Sequence, residues 1–206
     1  MGASQNAFAV EGFIDEMAYA AGADPLEYRL SLMPEDSHFR HVLEAAAREA
    51  GWSSDLGRGE GMGIGLAEAF GTVVAQVALV TVSRRGQLRV EKIDCAIDCG
   101  NVINPLTVTM QMESCIAYGL TAALYGDVTI KNGRVIEENF DKNLMLRINE
   151  MPEIKVTLAL SGGDKWGGVG EPGLPPVAPA VSNAIFAATG KRVRRLPLRN
   201  HDLARG

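Results

Sequence analysis

Residues 167–176 limit the possible folds of this chain more than any other stretch. They read Gly-Gly-Val-Gly-Glu-Pro-Gly-Leu-Pro-Pro, with four glycines and three prolines. Regular structure is excluded there, because glycine loses the most backbone entropy on ordering and proline removes a donor and fixes φ. The residues that follow, Val177–Thr189, are small and apolar at helical spacing and predict a helix. The chain must therefore contain an irregular loop that runs directly into a helix.

The single ionisable side chain in this loop is Glu171. A loop with few side chains lets a bulky ligand approach the backbone amides, and the prolines restrict its relaxation. This composition favours a function in which the loop positions the Glu171 carboxylate beside a bound ligand. The alternative is a glycine- and proline-rich turn with a solvated glutamate, because such turns commonly separate strands from helices.

Composition predicts a globular protein of 206 residues, 47% of them hydrophobic and 22% charged. The net charge of -5 argues against nucleic-acid binding, which needs clustered Lys and Arg. We expect the one basic run, residues 191–195, to be a solvated segment after a helix. No apolar stretch reaches the roughly 20 residues that span a bilayer. Residues 1–6 have no basic region followed by an apolar run, so we expect no signal peptide there. The compartment stays open between cytoplasm and periplasm.

Cysteines and histidines are few and poorly spaced for a metal. Cys95, Cys99 and Cys115 form no C-x-x-C pair, so neither a disulfide framework nor a zinc or iron–sulfur site is expected. His38 and His41 lie three residues apart on a predicted helix, a spacing that alone is insufficient for a site. We therefore predict no metal ligands among the side chains.

The N-terminal quarter has helical spacing throughout. Apolar residues predict helices over residues 8–21, over a short segment capped by Asp24, and over residues 37–50 before Gly51. Residues 53–65 are polar and glycine-rich and predict a loop. A nucleotide-binding loop over residues 57–65 is a weak alternative, because that motif needs a strand before it and a helix after it.

The rest of the chain mixes strands with one long helix. Thr72–Val82 predicts a strand buried on both faces. A change of parity in the next strand predicts either a bulge near Glu91 and Lys92 or a change of the buried face. Asn132-Gly133 predicts a tight hairpin, and residues 154–160 a half-buried strand. We expect an α+β fold in which helices pack on a mixed sheet, with a helical segment over residues 1–52 and an α+β domain over residues 53–206.

The long helix is predicted from residue 107, with one apolar stripe along its length. Gln111 falls on this stripe. A buried amide without a partner costs about 1–3 kcal/mol, so Gln111 must form a hydrogen bond. An ordinary backbone partner and a ligand remain equally open.

Seven motifs resemble, in the same order, those of the molybdenum-cofactor subunit of the xanthine dehydrogenase and aldehyde oxidase family. The last is the Gly-x-Gly-Glu-Pro loop around Glu171, which continues through residues 178–190 to 194–197. The similarity is greatest to the branch of isoquinoline 1-oxidoreductase and related aldehyde-oxidising enzymes. The other motifs occupy residues 13–16, 24–25, 70–72, 98–100 with 104–105, 111–113 and 149–152.

This resemblance implies a molybdopterin cofactor, with or without a cytosine dinucleotide tail, whose own sulfurs hold the metal. It implies that Glu171 is the general base in the hydroxylation of an aldehyde or N-heterocycle with water as the oxygen source. A well-placed base contributes roughly 10²- to 10⁴-fold in rate. Where the family usually has two glycines after the residue at Glu113, this chain has serine and cysteine. The expected cofactor contacts are Gln111, Ser114, Cys115, Gly168, Val169 and Gly170.

Family subunits are several times longer than this chain, so the resemblance implies that it corresponds to the C-terminal portion of one. It would then bind the cofactor only together with the upstream part of the subunit, have a 2Fe-2S small subunit as partner, and be inactive alone. The alternative is a non-catalytic interaction or assembly module of the same fold, which the substitution at Ser114-Cys115 favours.

Overall fold

The structure, a computed structural model, describes residues 2–53 and 55–204. It confirms the predicted α+β fold with a mixed sheet. Two 3₁₀ turns lie at Ile148–Glu150 and Leu198–Asn200. The helices are α1 (Ala3–Ala20), α2 (Pro25–Ser31), α3 (His38–Ala50), α4 (Pro105–Tyr125) and α5 (Val177–Thr189). The strands are β1 (Glu60–Ala69), β2 (Thr72–Val82), β3 (Leu88–Asp98), β4 (Ile130–Lys131), β5 (Arg134–Val135) and β6 (Glu153–Leu158).

The main sheet has the order β1-β2-β3-β6, with β1, β2 and β3 antiparallel and β6 parallel to β3. One face of β2 packs with α4 and α5 through Val74, Ala78 and Val80. Its other face packs with α3 through Val73, Ala75 and Val77. The sequence prediction that β2 is buried on both faces is confirmed, since helices cover the sheet on both sides.

Several local predictions are confirmed in detail. The register of β2 and β3 shifts where Leu79 pairs with Lys92 but Val80 pairs with Val90, so Glu91 is the bulged residue. The side chain of Asp24 accepts hydrogen bonds from the first turn of α2. Asn132 and Gly133 both have positive φ, as a tight hairpin between β4 and β5 requires.

Element ends differ from the predictions by a few residues. Helix α1 begins at Ala3 and not at residue 8, and α4 begins at Pro105 because Asn104 caps it. Proline is favoured at a first helical position, where its missing N–H has no partner to lose. Strand β6 ends at Leu158, two residues early. Among residues 2–53 and 55–204, no helix is long and apolar enough to cross a membrane.

The glycines predicted to lie in a loop form a strand instead. Gly61, Gly63 and Gly65 belong to β1, whose same face lies against the backbone of α5. A Cβ at Gly63 would be 2.1 Å from the backbone nitrogen of Ala184, and one at Gly65 would be 2.2 Å from the carbonyl oxygen of Pro176. Glycine is needed here for close packing of helix on sheet, and a nucleotide loop over residues 57–65 is wrong.

The expectation of a solvated basic segment after α5 is confirmed for Arg194 and Arg195, which are exposed, and wrong for Arg192. Arg192 lies 2.6 Å from Asp15 of α1, and its guanidinium covers the ring of Phe186 at 3.4 Å from the centroid. Arg194 pairs with Glu16 at 2.7 Å. The run therefore ties α1 to the end of α5. Opposite charges on α1 and on this segment were the signal that sequence reasoning missed.

A second arginine is buried beside this contact. Arg29 is 1% exposed and lies 3.1 Å from Glu11, a carboxylate that is itself buried. Burial raises the pKa of Glu11, although the attraction of Arg29 opposes that rise. A buried pair of this kind is costly to break from one side, because the remaining charge is left unpaired. The first two helices are thereby fixed to each other.

We predict that Gly63→Ala lowers the free energy of unfolding by at least about 2 kcal/mol, because overpacking against backbone cannot relax by side-chain movement. Gly12→Ala in α1 is the matched control, since no described heavy atom lies within 4 Å of the added methyl group apart from the neighbouring backbone of α1 itself. Urea unfolding followed by circular dichroism should show the control unchanged or up to about 1 kcal/mol more stable. Equal stability of the two variants would contradict the packing of α5 on β1.

Candidate functional site

The loop around Glu171 is fixed to the sheet at its beginning. The N–H of Gly167 donates to the carbonyl of Cys99 at 2.8 Å, and the N–H of Gly168 to that of Phe70 at 3.0 Å. The hydroxyl of Thr72 donates to the carbonyl of Gly168 at 2.8 Å. The start of the loop therefore rests on the turn between β1 and β2 and on the end of β3.

The second half of the loop is held by side chains of β2 and α4. The side-chain amide of Gln76 donates to the carbonyl of Gly173 at 2.7 Å. The thiol of Cys115 donates to the carbonyl of Gly170 at 3.3 Å, and the amide of Gln111 lies 3.5 Å from the same oxygen. A Cβ at Gly173 would lie 2.9 Å from the Cβ of Cys115. Glycine at position 173 is what lets the loop approach α4 this closely.

Glu171 is exposed between these anchors. The N–H of Leu174 donates to its carbonyl at 3.1 Å, which closes a turn, and the next residues, Pro172 and Gly173, are buried. Within the described part of the chain, the carboxylate of Glu171 forms no hydrogen bond or ion pair. The backbone of Glu171 is thus held by a hydrogen bond, whereas its carboxylate has no partner among the described residues.

Backbone N–H groups at and beside Glu171 also lack hydrogen-bond partners among the described residues. Among residues 2–53 and 55–204, the N–H groups of Val169, Gly170 and Glu171 donate to no acceptor. Apart from its two chain neighbours, a Cβ at Gly170 would have no described heavy atom within 4 Å, so the space beside the loop is open. Consecutive backbone N–H groups in an irregular loop suit a ligand rich in acceptors, such as a phosphate or the oxygens and nitrogens of a pterin. The residues present therefore fit a molybdopterin.

The residues of α4 predicted to contact a cofactor lie at different depths. Ser114 is exposed, whereas Cys115 is buried beneath the loop. Burial raises the pKa of the Cys115 thiol, and the N–H of Gly173 lies within hydrogen-bonding reach of it and opposes that rise. The bulk added by Cys115 is accordingly accommodated below the loop, on the side away from the open space.

Gln111 is half-buried and reaches the loop, so it does not sit in the apolar core as the stripe suggested. The fully buried amide is that of Gln76 in the middle of β2. Helical periodicity singles out Gln111 on α4 and gives no indication of a buried amide within a strand. The signal was present in the sequence: one glutamine interrupts an otherwise apolar strand.

The described residues contain no group of three or more His, Cys, Asp and Glu side chains that could hold a metal ion. His38 instead lies 3.4 Å from the buried carboxylate of Asp98. The other oxygen of Asp98 accepts from the N–H of Gly100 at 2.8 Å and from Ser161. These contacts stabilise the turn that leads toward the Glu171 loop.

The cysteines give a prediction that depends on burial. Burial raises the pKa of all three thiols, that of Cys95 to about 12. At pH 8 the reactive thiolate is therefore scarce at each site, and each sulfur is covered. We expect no thiol to react with a bulky disulfide reagent at pH 8 in the folded chain and all three to react in denaturant. Rapid reaction of Cys115 in the folded chain would contradict its place beneath the loop.

Sequence similarity points to the same cofactor that the loop geometry suits, molybdopterin. Residues 35–152 match the family model described as the molybdopterin cofactor-binding domain. The chain is 34% identical over 203 residues to the beta subunit of isoquinoline 1-oxidoreductase from Brevundimonas diminuta. That alignment covers 97% of the chain and 26% of the relative.

Two further proteins resemble nearly the whole chain. A membrane-bound aldehyde dehydrogenase of Gluconacetobacter polyoxogenes is 32% identical over 96% of the chain and 28% of its own length. The aldehyde oxidoreductase from Desulfovibrio desulfuricans has a similar fold, with a TM-score of 0.78 and 15% identity over 98% of the chain and 40% of the solved structure. The chain thus spans little more than a quarter of the two curated relatives.

Proposed function

Because the chain belongs to the molybdopterin cofactor-binding domain family, we propose that it is the part of a molybdenum hydroxylase that presents the catalytic base to the cofactor. The family match spans residues 35–152, and the resemblance noted in the sequence is confirmed. The proposed reaction is oxidation of an aldehyde or an N-heterocycle, with water as the oxygen source. Glu171 is the proposed base.

One observation carries this proposal: the backbone around Glu171 is held by several hydrogen bonds, while its carboxylate has no partner among the described residues. A glutamate that served only stability would be expected to pair with a donor. An unpaired carboxylate on a fixed backbone suits proton transfer, because a general base must lie within hydrogen-bonding reach of the proton that it accepts. The open space beside Gly170 leaves room for the reacting groups.

When bound, the molybdenum cofactor would supply the two-electron redox chemistry. The side chains and backbone of this chain would hold and orient it. We assign the N–H groups of Val169 and Gly170, the amide of Gln111 and the hydroxyl of Ser114 to cofactor contacts, with Gly168 keeping the loop free of bulk. Cys115 contributes at the base of the site, where its thiol supports the carbonyl of Gly170.

The proposed partners follow from the length of the relatives. The chain would correspond to the C-terminal portion of a longer polypeptide and would bind cofactor only with the remaining part. A 2Fe-2S small subunit would accept the electrons, and the isolated chain would not turn over. The division into a helical segment over residues 1–52 and a cofactor-binding domain over residues 53–206 remains part of this proposal.

We predict that Glu171→Gln in the assembled enzyme lowers kcat by about 10²- to 10⁴-fold, the range for loss of a general base. Molybdenum content should stay at the wild-type value, because the amide occupies the same volume. Steady-state turnover of an aromatic aldehyde and metal analysis of the same sample measure the two quantities. Glu35→Gln is the matched control, since Glu35 is exposed between α2 and α3.

Turnover of the Glu171→Gln enzyme within twofold of wild type would refute the assigned role. Loss of both molybdenum and turnover would indicate that Glu171 is a cofactor contact and not the base. A wild-type complex that contains no molybdenum would favour the alternative of a non-catalytic assembly module.

A further inference from the structure

Gln76 is an unusual residue for its place in the fold. It lies in the middle of β2, and its side chain is fully buried. Its strand neighbours Ala75 and Val77 are apolar and buried as well. Burying an amide in such surroundings is unfavourable unless it forms hydrogen bonds. A strand that needed only packing would carry an aliphatic residue there, so the amide requires a specific explanation.

The register of the sheet shows what Gln76 faces. It is directly opposite Gly65 of β1 and Cys95 of β3, and opposed residues point to the same face. A Cβ at Gly65 would lie 2.2 Å from the carbonyl oxygen of Pro176, the last residue before α5. This row of residues therefore lies directly beneath the second half of the Glu171 loop.

The hydrogen bond of Gln76 reaches that loop. Its Nε2 donates to the carbonyl oxygen of Gly173 at 2.7 Å, two residues after Glu171 and 97 positions away in sequence. The same nitrogen lies 3.9 Å from the Sγ of Cys95. The Leu174 N–H closes the turn onto the carbonyl of Glu171. Gln76 is thus one hydrogen bond away from the turn that carries Glu171.

We infer that Gln76 is a positioning residue, which fixes the Glu171 turn against β2 so that the carboxylate is presented at a constant height above the sheet. This inference rests on the proposed function of Glu171 as a base. Its physical reason is that Gly173 is buried and its carbonyl must be satisfied, and within the described chain the Gln76 amide is its donor. Loss of this bond lets the turn move to find another donor. A displacement of about 1 Å of a reacting group costs on the order of 10²-fold in rate.

The first test is Gln76→Met in the complete enzyme, which removes the donor and keeps the volume. We expect kcat to fall at least tenfold with KM within twofold and molybdenum content unchanged. Asn183→Leu is the matched control. Asn183 is a buried amide that donates to the carbonyls of Ile64 and Glu11, accepts from Arg192, and forms no hydrogen bond with residues 167–176 among the described residues. It should lower thermal stability without changing kcat below the unfolding temperature.

The second test is Gln76→Glu, which is isosteric with the native residue. A neutral carboxylic acid can donate to the Gly173 carbonyl, whereas a carboxylate repels it. The titratable group beside this position is the buried thiol of Cys95 on β3, whose Sγ lies 3.9 Å from Nε2 of Gln76. The thiol of Cys115 on α4 lies on the far side of Gly173, and the carboxylate of Glu171 is exposed. We expect the ratio of variant to wild-type kcat to rise severalfold as the pH is lowered, whereas the ratio for Gln76→Met stays constant. A role in stability alone would not produce this difference.

The third readout needs no cofactor and no turnover. Hydrogen–deuterium exchange of the complete enzyme without cofactor should show faster exchange of the protected amides of Gly167, Gly168 and Leu174 in Gln76→Met and unchanged exchange there in Asn183→Leu. Wild-type kcat in Gln76→Met, or unchanged loop exchange, would overturn the inference. Failure of the proposed function would appear separately, as wild-type turnover in Glu171→Gln.

Discussion

The backbone-to-backbone contact between α5 and β1 is the constraint on which the rest of the structure depends. It is possible only because Gly61, Gly63 and Gly65 present no side chain on that face of β1. The contact sets the height of α5 above the sheet, and α5 begins where the Glu171 loop ends. The position of Pro176 at the end of the loop is therefore decided by three glycines more than 100 residues earlier.

Because the end of the loop is fixed, its buried carbonyl groups need hydrogen-bond donors, and the surrounding elements supply them. Its carbonyl groups at Gly168, Gly170 and Gly173 are met by side chains of Thr72, Cys115 and Gln76. Each such group left unsatisfied and buried would cost about 1–3 kcal/mol. The donors come from strand and helix positions that have little freedom to move. These hydrogen bonds hold the backbone of the loop in place, and the Glu171 carboxylate remains unpaired among the described residues.

Periodicity and capping were enough to predict most of the helices and strands, and the candidate base came from loop composition and family resemblance. Strand β1 was missed, because its glycines serve a contact with a helix that lies far away in sequence. The pairing of Arg192 with Asp15 was missed for the same reason, since a basic run looks solvated until its partner is placed. The rule that a polar residue on an apolar face must bond to something was sound, but it was applied to Gln111. The fully buried amide is Gln76, and only the register of β2 with β1 and β3 places it beneath the loop.

The central claim is that this chain supplies one side of a molybdopterin site that other parts of the enzyme complete. The most direct test is the molybdenum and pterin content of the chain purified alone and after co-expression with the remaining part of the enzyme. The account predicts about one molybdenum per chain in the co-expressed complex and none in the chain alone. A complex without molybdenum, or a full complement in the isolated chain, would contradict it.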